Sequence, residues 1–342
     1  MYKRIFLFIL YPIYTLSLNV VVIGSDISSK LATIVLSNRG HMVNLVQPSS
    51  KDELTSNLIL TEKDMEILNR YDVNYIQKSV NSDSLVQHNK GQIPILTNFE
   101  QTCSIQKGDL LNIMNKKIEN NNNIMVTRGE FNGADFSRKI AFLSHGPLRY
   151  DILIGADGFD SKVSSCLKDF YPNFSVSEFF QGLKSYKELT LSPIEFQNIP
   201  RYHEKWTKSL HVWESNDCKV VASPTSSLGL SGHVFSSDIQ CKLDEFPDIC
   251  DSMTKENMSI YNNNISVRNK RYLSSHFGYL SVLLLGEAGN SLTYENLRIS
   301  LEDCVNLDYC LSCDINTLHM CKMYNNIKSK QYVGPRFKLP IL

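Results

Sequence analysis

The chain has 342 residues, enough to bury a large core as one big domain or two intertwined ones. Lys+Arg and Asp+Glu both number 35, so the formal net charge is zero. That balance removes any electrostatic case for a nucleic acid or an anionic membrane surface as partner.

In chain order, Met1–Arg4 is basic and Ile5–Leu18 is almost wholly apolar. This leader, 1–18, resembles a signal peptide with Thr15-Leu16-Ser17 as a small-residue cleavage site. It is shorter than the ~20 apolar residues of a spanning helix. A membrane-associated leader or a gene-prediction artefact is the plainer reading. In a secreted chain, Asn173, Asn257 and Asn264 would stand in N-x-S sequons. Asn19–Ile23 (NVVVI) is a buried-strand run ending at Gly24. Ser25–Asn38 has helical spacing at Ile27, Leu31, Ile34 and Val35, and Met42–Val46 is a second strand. This β-α-β unit predicts a parallel, doubly wound start.

Glu62–Arg70 and Lys107–Glu119 read as helices, Asn120–Asn123 as a loop and Tyr150–Ile154 as a strand. His211–Trp213, Lys219–Ala222 and Gly232–Phe235 alternate or cluster like antiparallel strands, so a β-rich layer is expected at about 175–275. Ser281–Leu285 returns to buried-strand character, and Glu295–Ser312 and Ile315–Val333 are helical. No internal repeat is present. Of nine cysteines, only Cys304, Cys310, Cys313 and Cys321 cluster. They lack the second ligand pair of a zinc site and lie mostly in an apolar helical run, so burial is expected and no metal.

Three segments carry motif chemistry. The first turn reads Gly24-Ser25-Asp26-Ile27-Ser28-Ser29. Of a G-x-G-x-x-G fingerprint it keeps the first glycine. Asp26 stands where backbone would approach a pyrophosphate, and Ser29 where helix and strand pack closely. Glycine is also scarce overall, 16 of 342, roughly 5% against a usual ~7%. The ribose-binding acid at the end of the second strand is replaced by Gln47. The second segment is Asp151-Ile-Leu-Ile-Gly155-Ala156-Asp157-Gly158-Phe-Asp-Ser161-Lys-Val163. The third is Gly286-Glu287-Ala288-Gly289-Asn290 followed by Glu302-Asp303-Cys304.

The second segment resembles the D-x-x-x-G-x-D-G-x-x-S-x-V-R motif of FAD-dependent aromatic hydroxylases, and the third their G-D motif. Five further segments narrow the likeness to the kynurenine 3-monooxygenase family. They are Tyr186-Lys-Glu-Leu-Thr190, Leu210-His211-Val-Trp213, Ala222-Ser-Pro224, Phe246-Pro247-Asp248 and Met323-Tyr324-Asn325-Asn326-Ile327. They occur in the family's order and span roughly residues 19–335. The resemblance implies an α/β, FAD-binding Rossmann-type fold with an interleaved β-sheet substrate layer. It also implies FAD as cofactor, NADPH and O2 as co-substrates, and L-kynurenine as the aromatic substrate hydroxylated. Cofactor contacts then fall on Gly24, Lys107, Asp157, Gly158, Gly286 and Glu287, and a substrate contact on Asn325. Family localisation would be the mitochondrial outer membrane; the leader alone would point to the secretory pathway.

The departures fall on the ligand contacts. Residues 72–106 contain no Arg for the substrate carboxylate, and Ile95 stands at the family's Tyr. Lys78 and Lys90 lack the planar fork of a guanidinium. Lys107 replaces the flavin-side Arg, and Tyr294–Arg298 replaces G-Q-G-M-N. The family's later substrate Tyr, helical lid and membrane anchor have no counterpart, which suggests a C-terminally truncated member with a short tail at 336–342. Apolar core positions keep their type. The expectation is a retained scaffold with an eroded site, a pseudoenzyme. A working hydroxylase with an adapted pocket and a binding module for another ligand are the rival readings.

Overall fold

Two sheets organise the chain, and each is assembled from distant parts of it. The computed structural model describes residues 17–48, 56–179, 185–238, 243–268, 271–291, 296–313 and 316–332. Nearly all of the leader, and the 336–342 tail, lie outside the described residues, as does Tyr294. No helix of the described residues is long and apolar enough to cross a membrane.

The first sheet has the order Gly278–Tyr279, Val282–Leu284, Ile152–Gly155, Asn19–Ile23, Met42–Gln47, Ile124–Arg128. All neighbours are parallel except the Gly278–Tyr279 edge. Parallel strands are covered on both faces and read as continuous apolar runs. Val20, Val21, Val22, Ile152, Leu153 and Ile154 are accordingly all buried. Helices Ile27–Asn38, Lys107–Glu119 and Asn296–Cys313 cover one face through Leu31, Ile34, Leu110, Met114, Leu301 and Leu307. Each such side chain contributes roughly 1.5–3 kcal/mol by leaving water. A three-stranded meander over Phe131–Arg149 and helix Lys162–Phe170 cover the other face.

Helices Glu62–Arg70 and Lys107–Glu119 have the expected bounds. The first start is fixed by a capping box between Thr61 and Asp64. The first helix begins at Ile27, not Ser25, because Asp26 is its N-cap.

The second sheet has eight strands, in the order Val267–Arg268, Ser185–Leu191, Leu230–Ser236, Cys218–Pro224, Ser209–Glu214, Ser79–His88, Ile95–Gln106, Asn57–Leu60. Its last three strands precede the stretch 175–275 in which a β layer was expected. Ser79–His88 joins by parallel pairing with Ser209–Glu214, Ser84 opposite Ser209 and His88 opposite Trp213. That arm is rich in Ser, Asn, Gln and Thr and half exposed, so it lacks clean apolar alternation. A small sheet of Val176–Phe179, Arg271–Ser274 and Asn290–Ser291 links the two layers.

One face of the eight-stranded sheet packs on Phe196, Trp206, Ile249 and Tyr261. His88 and His211 lie in this core, with His88 stacked on Trp213 at 4.0 Å between ring centroids. His211 Nε2 is 3.0 Å from the Trp206 carbonyl, which can only accept, so that nitrogen carries the proton. His211 Nδ1 therefore accepts from His88 Nε2 at 3.0 Å. His88 Nδ1 remains a buried acceptor with no partner among the described residues.

Candidate functional site

The first strand leaves the parallel sheet at Gly24, φ +144°, whose N–H donates to the Val46 carbonyl at 2.9 Å. A Cβ on Gly24 would lie 2.1 Å from the Ala156 carbonyl oxygen. Glycine is needed there by the close approach of two strand ends, independently of any ligand. Asp26 then caps the helix: its carboxylate accepts from Ile27 N at 2.7 Å and its carbonyl from Ser29 Oγ at 2.7 Å. Lys107, opening its own helix, reaches across so that Nζ lies 2.7 Å from Asp26 Oδ2. A negative charge thus already occupies the positive end of the helix, and a lysine neutralises it. Beneath, Lys30 is buried and donates to Asn115 Oδ1 at 2.6 Å. Burial pushes its pKa down to about 8, with Asp26 opposing and Arg128 assisting.

The second segment folds into a strand end and a helix start. Asp157 accepts from Ser161 Oγ at 2.6 Å, Lys162 N at 2.7 Å and Val163 N at 3.3 Å, closing the N-terminus of Lys162–Phe170. Burial raises the Asp157 pKa against the pull of these bonds. Gly158 follows at φ +83°. A Cβ on it would come within 3.9 Å of Glu287 Oε2, so the two residues face each other. Glu287 sits in the short turn Gly286–Ala288. Gly286 N donates to Asp303 Oδ2 at 2.8 Å, and Asp303 is ion-paired with Lys328, both buried.

The eight-stranded sheet turns three rings towards this turn. Tyr186 lies 5.5 Å from His233 and 6.2 Å from Phe235 between ring centroids. Burial, then Glu287 and Glu188, pushes the Tyr186 phenol up to about 12; burial lowers the His233 imidazole to about 4. Tyr272 donates to the Gly158 carbonyl at 3.3 Å, and burial, Glu287 and Asp157 raise its pKa. Tyr186, His233, Phe235, Tyr272, Gly158 and Glu287 thus converge between the two layers. The sequence reading assigned no site role to His233, Phe235 or Tyr272. Alternation along Leu230–Ser236, which puts His233 and Phe235 on one face, was the available signal.

No family model matches this chain, and no curated protein does. Solved structures do. The chain is similar to 2-methyl-3-hydroxypyridine-5-carboxylic acid oxygenase at TM-score 0.75 and 14% identity, covering 91% of this chain and 86% of that one. It is also similar to P. aeruginosa PqsL in complex with 2-aminobenzoylacetate, at TM-score 0.68 and 13% identity over 92% and 93%. For tetracycline destructase Tet(55) the values are 0.66 and 15% over 91% and 85%. The fold is that of the FAD-binding aromatic hydroxylases.

Within this fold, the six expected cofactor residues fall into three pairs. Gly158 and Glu287 face each other, with no side chain on Gly158 to fill the space between them. Beside Gly24, the Asp26 carboxylate holds the helix terminus and Lys107 is ion-paired with it. Asp157 caps a helix and Gly286 anchors a turn, both within the scaffold. Asn325, the expected substrate contact, has its Oδ1 2.8 Å from Phe277 N and 3.4 Å from Gly278 N, tying the Thr317–Tyr332 helix to the sheet edge. The Asn257 amide donates to Glu195 Oε2 at 2.7 Å. Cys304, Cys310 and Cys321 are buried and Cys313 exposed. Among the described residues, no group of three or more His, Cys, Asp or Glu could hold a metal.

Proposed function

We propose that this chain is a kynurenine 3-monooxygenase-like scaffold that no longer seats FAD, a non-catalytic pseudoenzyme. The observation that carries the reading is the Lys107–Asp26 ion pair at the first helix terminus. A pyrophosphate placed there would meet a carboxylate, with repulsion on the order of 1–4 kcal/mol at about 4 Å. It would also lose Lys107 as a counter-charge. On the substrate side, residues 72–106 offer no guanidinium for a carboxylate. The visible absorption spectrum of purified protein tests this. Folded, colourless protein is expected. A yellow protein whose NADPH oxidation rises with kynurenine would overturn it.

A second reading is a working NADPH- and O2-dependent hydroxylase, favoured by one observation. Gly158 and Glu287 keep the facing geometry suited to a ribityl chain. It predicts saturable FAD binding by the unmodified chain.

A further inference from the structure

Parallel strands are ordinarily covered on both faces, and Val20, Val22, Ile152 and Ile154 of the six-stranded sheet are buried accordingly. Its edge strand Ile124–Arg128 breaks that pattern. Met125 is 57% and Val126 40% exposed, and Met42 on the neighbouring strand is 48% exposed. Asn44 lies opposite Met125, so Met42 and Met125 share one face, and Val126 turns to the other. Apolar side chains thus reach solvent on both faces of this edge. The strand keeps an unbroken register with Met42–Gln47 and contains no lysine or proline, so the usual devices that blunt an edge are missing. Among the described residues, no strand lies beyond it. Its inner side fixes which backbone groups face outward. Val43 N donates to the Asn123 carbonyl and Gly129 N to the Gln47 carbonyl, both at 2.9 Å. Residues facing a neighbour alternate along a strand, so Met125 and Thr127 turn inward and Ile124, Val126 and Arg128 outward. Ile124 N is taken by the Asn121 carbonyl at 3.1 Å. The Ile124 carbonyl and both backbone groups of Val126 and Arg128 point away from the sheet.

We propose that this edge pairs with the same edge of a second copy of the chain, antiparallel about a two-fold axis at Val126. Such an axis, normal to the sheet, sets one residue opposite its own copy. Centred on Val126, it sets Ile124 opposite the partner's Arg128, so every outward residue meets an outward residue. Centring on Met125 or Thr127 would engage only two of the three. The charges agree with this register. Arg128 is the single charge of the strand and faces an isoleucine, so no like charges stand opposite each other. Pairing uses up both edges and therefore closes at two copies, continuing one sheet into the other. A five-residue ladder is about 17 Å long at ~3.4 Å per residue. That is a small interface, so a weak dimer is expected, with Kd on the order of 10 µM.

Sedimentation velocity of the full chain over a concentration series tests this. A monomer–dimer equilibrium is expected. Val126→Lys and Val126→Glu each set like charges about 5.5 Å apart across the axis and should weaken the dimer roughly tenfold or more. An equimolar mixture of the two variants should form a heterodimer at least as tight as the unmodified dimer. Met125→Lys, at the most exposed position of the strand and off the axis, should weaken it less than Val126→Lys does. Amide exchange should slow at Val126 and Arg128 as concentration rises, and not at Met125 and Thr127, whose N–H groups already face the neighbouring strand. A monomer at every concentration, a dimer indifferent to both Val126 charges, or charged variants that fail to pair in the mixture would overturn the proposal.

Discussion

Lys107 Nζ lies 2.7 Å from Asp26 Oδ2, and the pair joins two positions 81 residues apart that both depart from the hydroxylase pattern. The intruding acid and the substituted base satisfy each other. Removing the acid should therefore uncover the phosphate seat and free the base together. Asp26→Gly is expected to bind FAD roughly five- to several-hundred-fold more tightly than the unmodified chain. The lost cap costs only a few tenths of a kcal/mol when glycine replaces it. Fluorescence titration with FAD measures this, and equal affinities would remove Asp26 from the explanation.

Two glycines expected to serve the cofactor should respond differently to a methyl group. Gly24→Ala places Cβ 2.1 Å from a backbone oxygen that cannot move aside. A loss on the order of 3 kcal/mol or more in urea unfolding is expected. Gly158→Ala meets nothing nearer than Glu287 Oε2 at 3.9 Å, leaving only the strain of positive φ, about 1 kcal/mol. Similar losses at the two sites would contradict the close-approach argument.

The buried Asp303–Lys328 pair makes its own prediction. Lys328→Met leaves a buried carboxylate uncompensated and should cost about 3–5 kcal/mol. Adding Asp303→Asn should recover much of that, since the amide oxygen can still accept from Gly286 N. A double-mutant cycle by chemical denaturation checks the coupling; strictly additive losses would disprove it.

Three histidines set an acid limit. Burial holds His88, His211 and His233 neutral, with pKa values lowered to about 2, about 4 and about 4, and His211 adds to the effect on His88. In the unfolded chain each titrates near 6.5. Below that pH the unfolded state binds protons that the folded state refuses. Stability is thus fully present above about 6.5 and lost as the pH falls towards about 4, by up to ~1.4 kcal/mol per pH unit for each histidine. Urea unfolding between about pH 7 and 5 reads the slope, and His211→Phe should flatten it. An unchanged slope in that variant would refute the assignment.

What the sequence showed depended on how each element is buried. NVVVI and SVLLL were legible because parallel strands covered on both faces leave unbroken apolar runs. Lys107–Glu119 was legible from its helical apolar spacing, with Leu110, Leu111, Met114 and Ile118 buried. Ser79–His88 and Ile95–Gln106 were not, because a half-exposed polar arm carries no period. The motifs exposed Asp26 and Lys107 as substitutions one at a time. That they meet is a property of tertiary structure, invisible at 81 residues' separation. Asn325 shows the reverse: a matching letter whose hydrogen-bonding capacity goes to the scaffold.

The strand order of the parallel sheet also sets a timetable for synthesis. Asn19–Ile23 emerges first, yet its neighbour Ile152–Gly155 follows only after about 130 intervening residues, and Val282–Leu284 closes that neighbour's far side later still. A ribosome-bound chain must therefore carry an open, apolar strand edge until Val282–Leu284 has been made. Pairing over such spans is slow and invites aggregation. A product released before Leu284 would present Leu153 and Ile154 on an unsealed edge, a natural substrate for chaperones rather than a smaller folded protein.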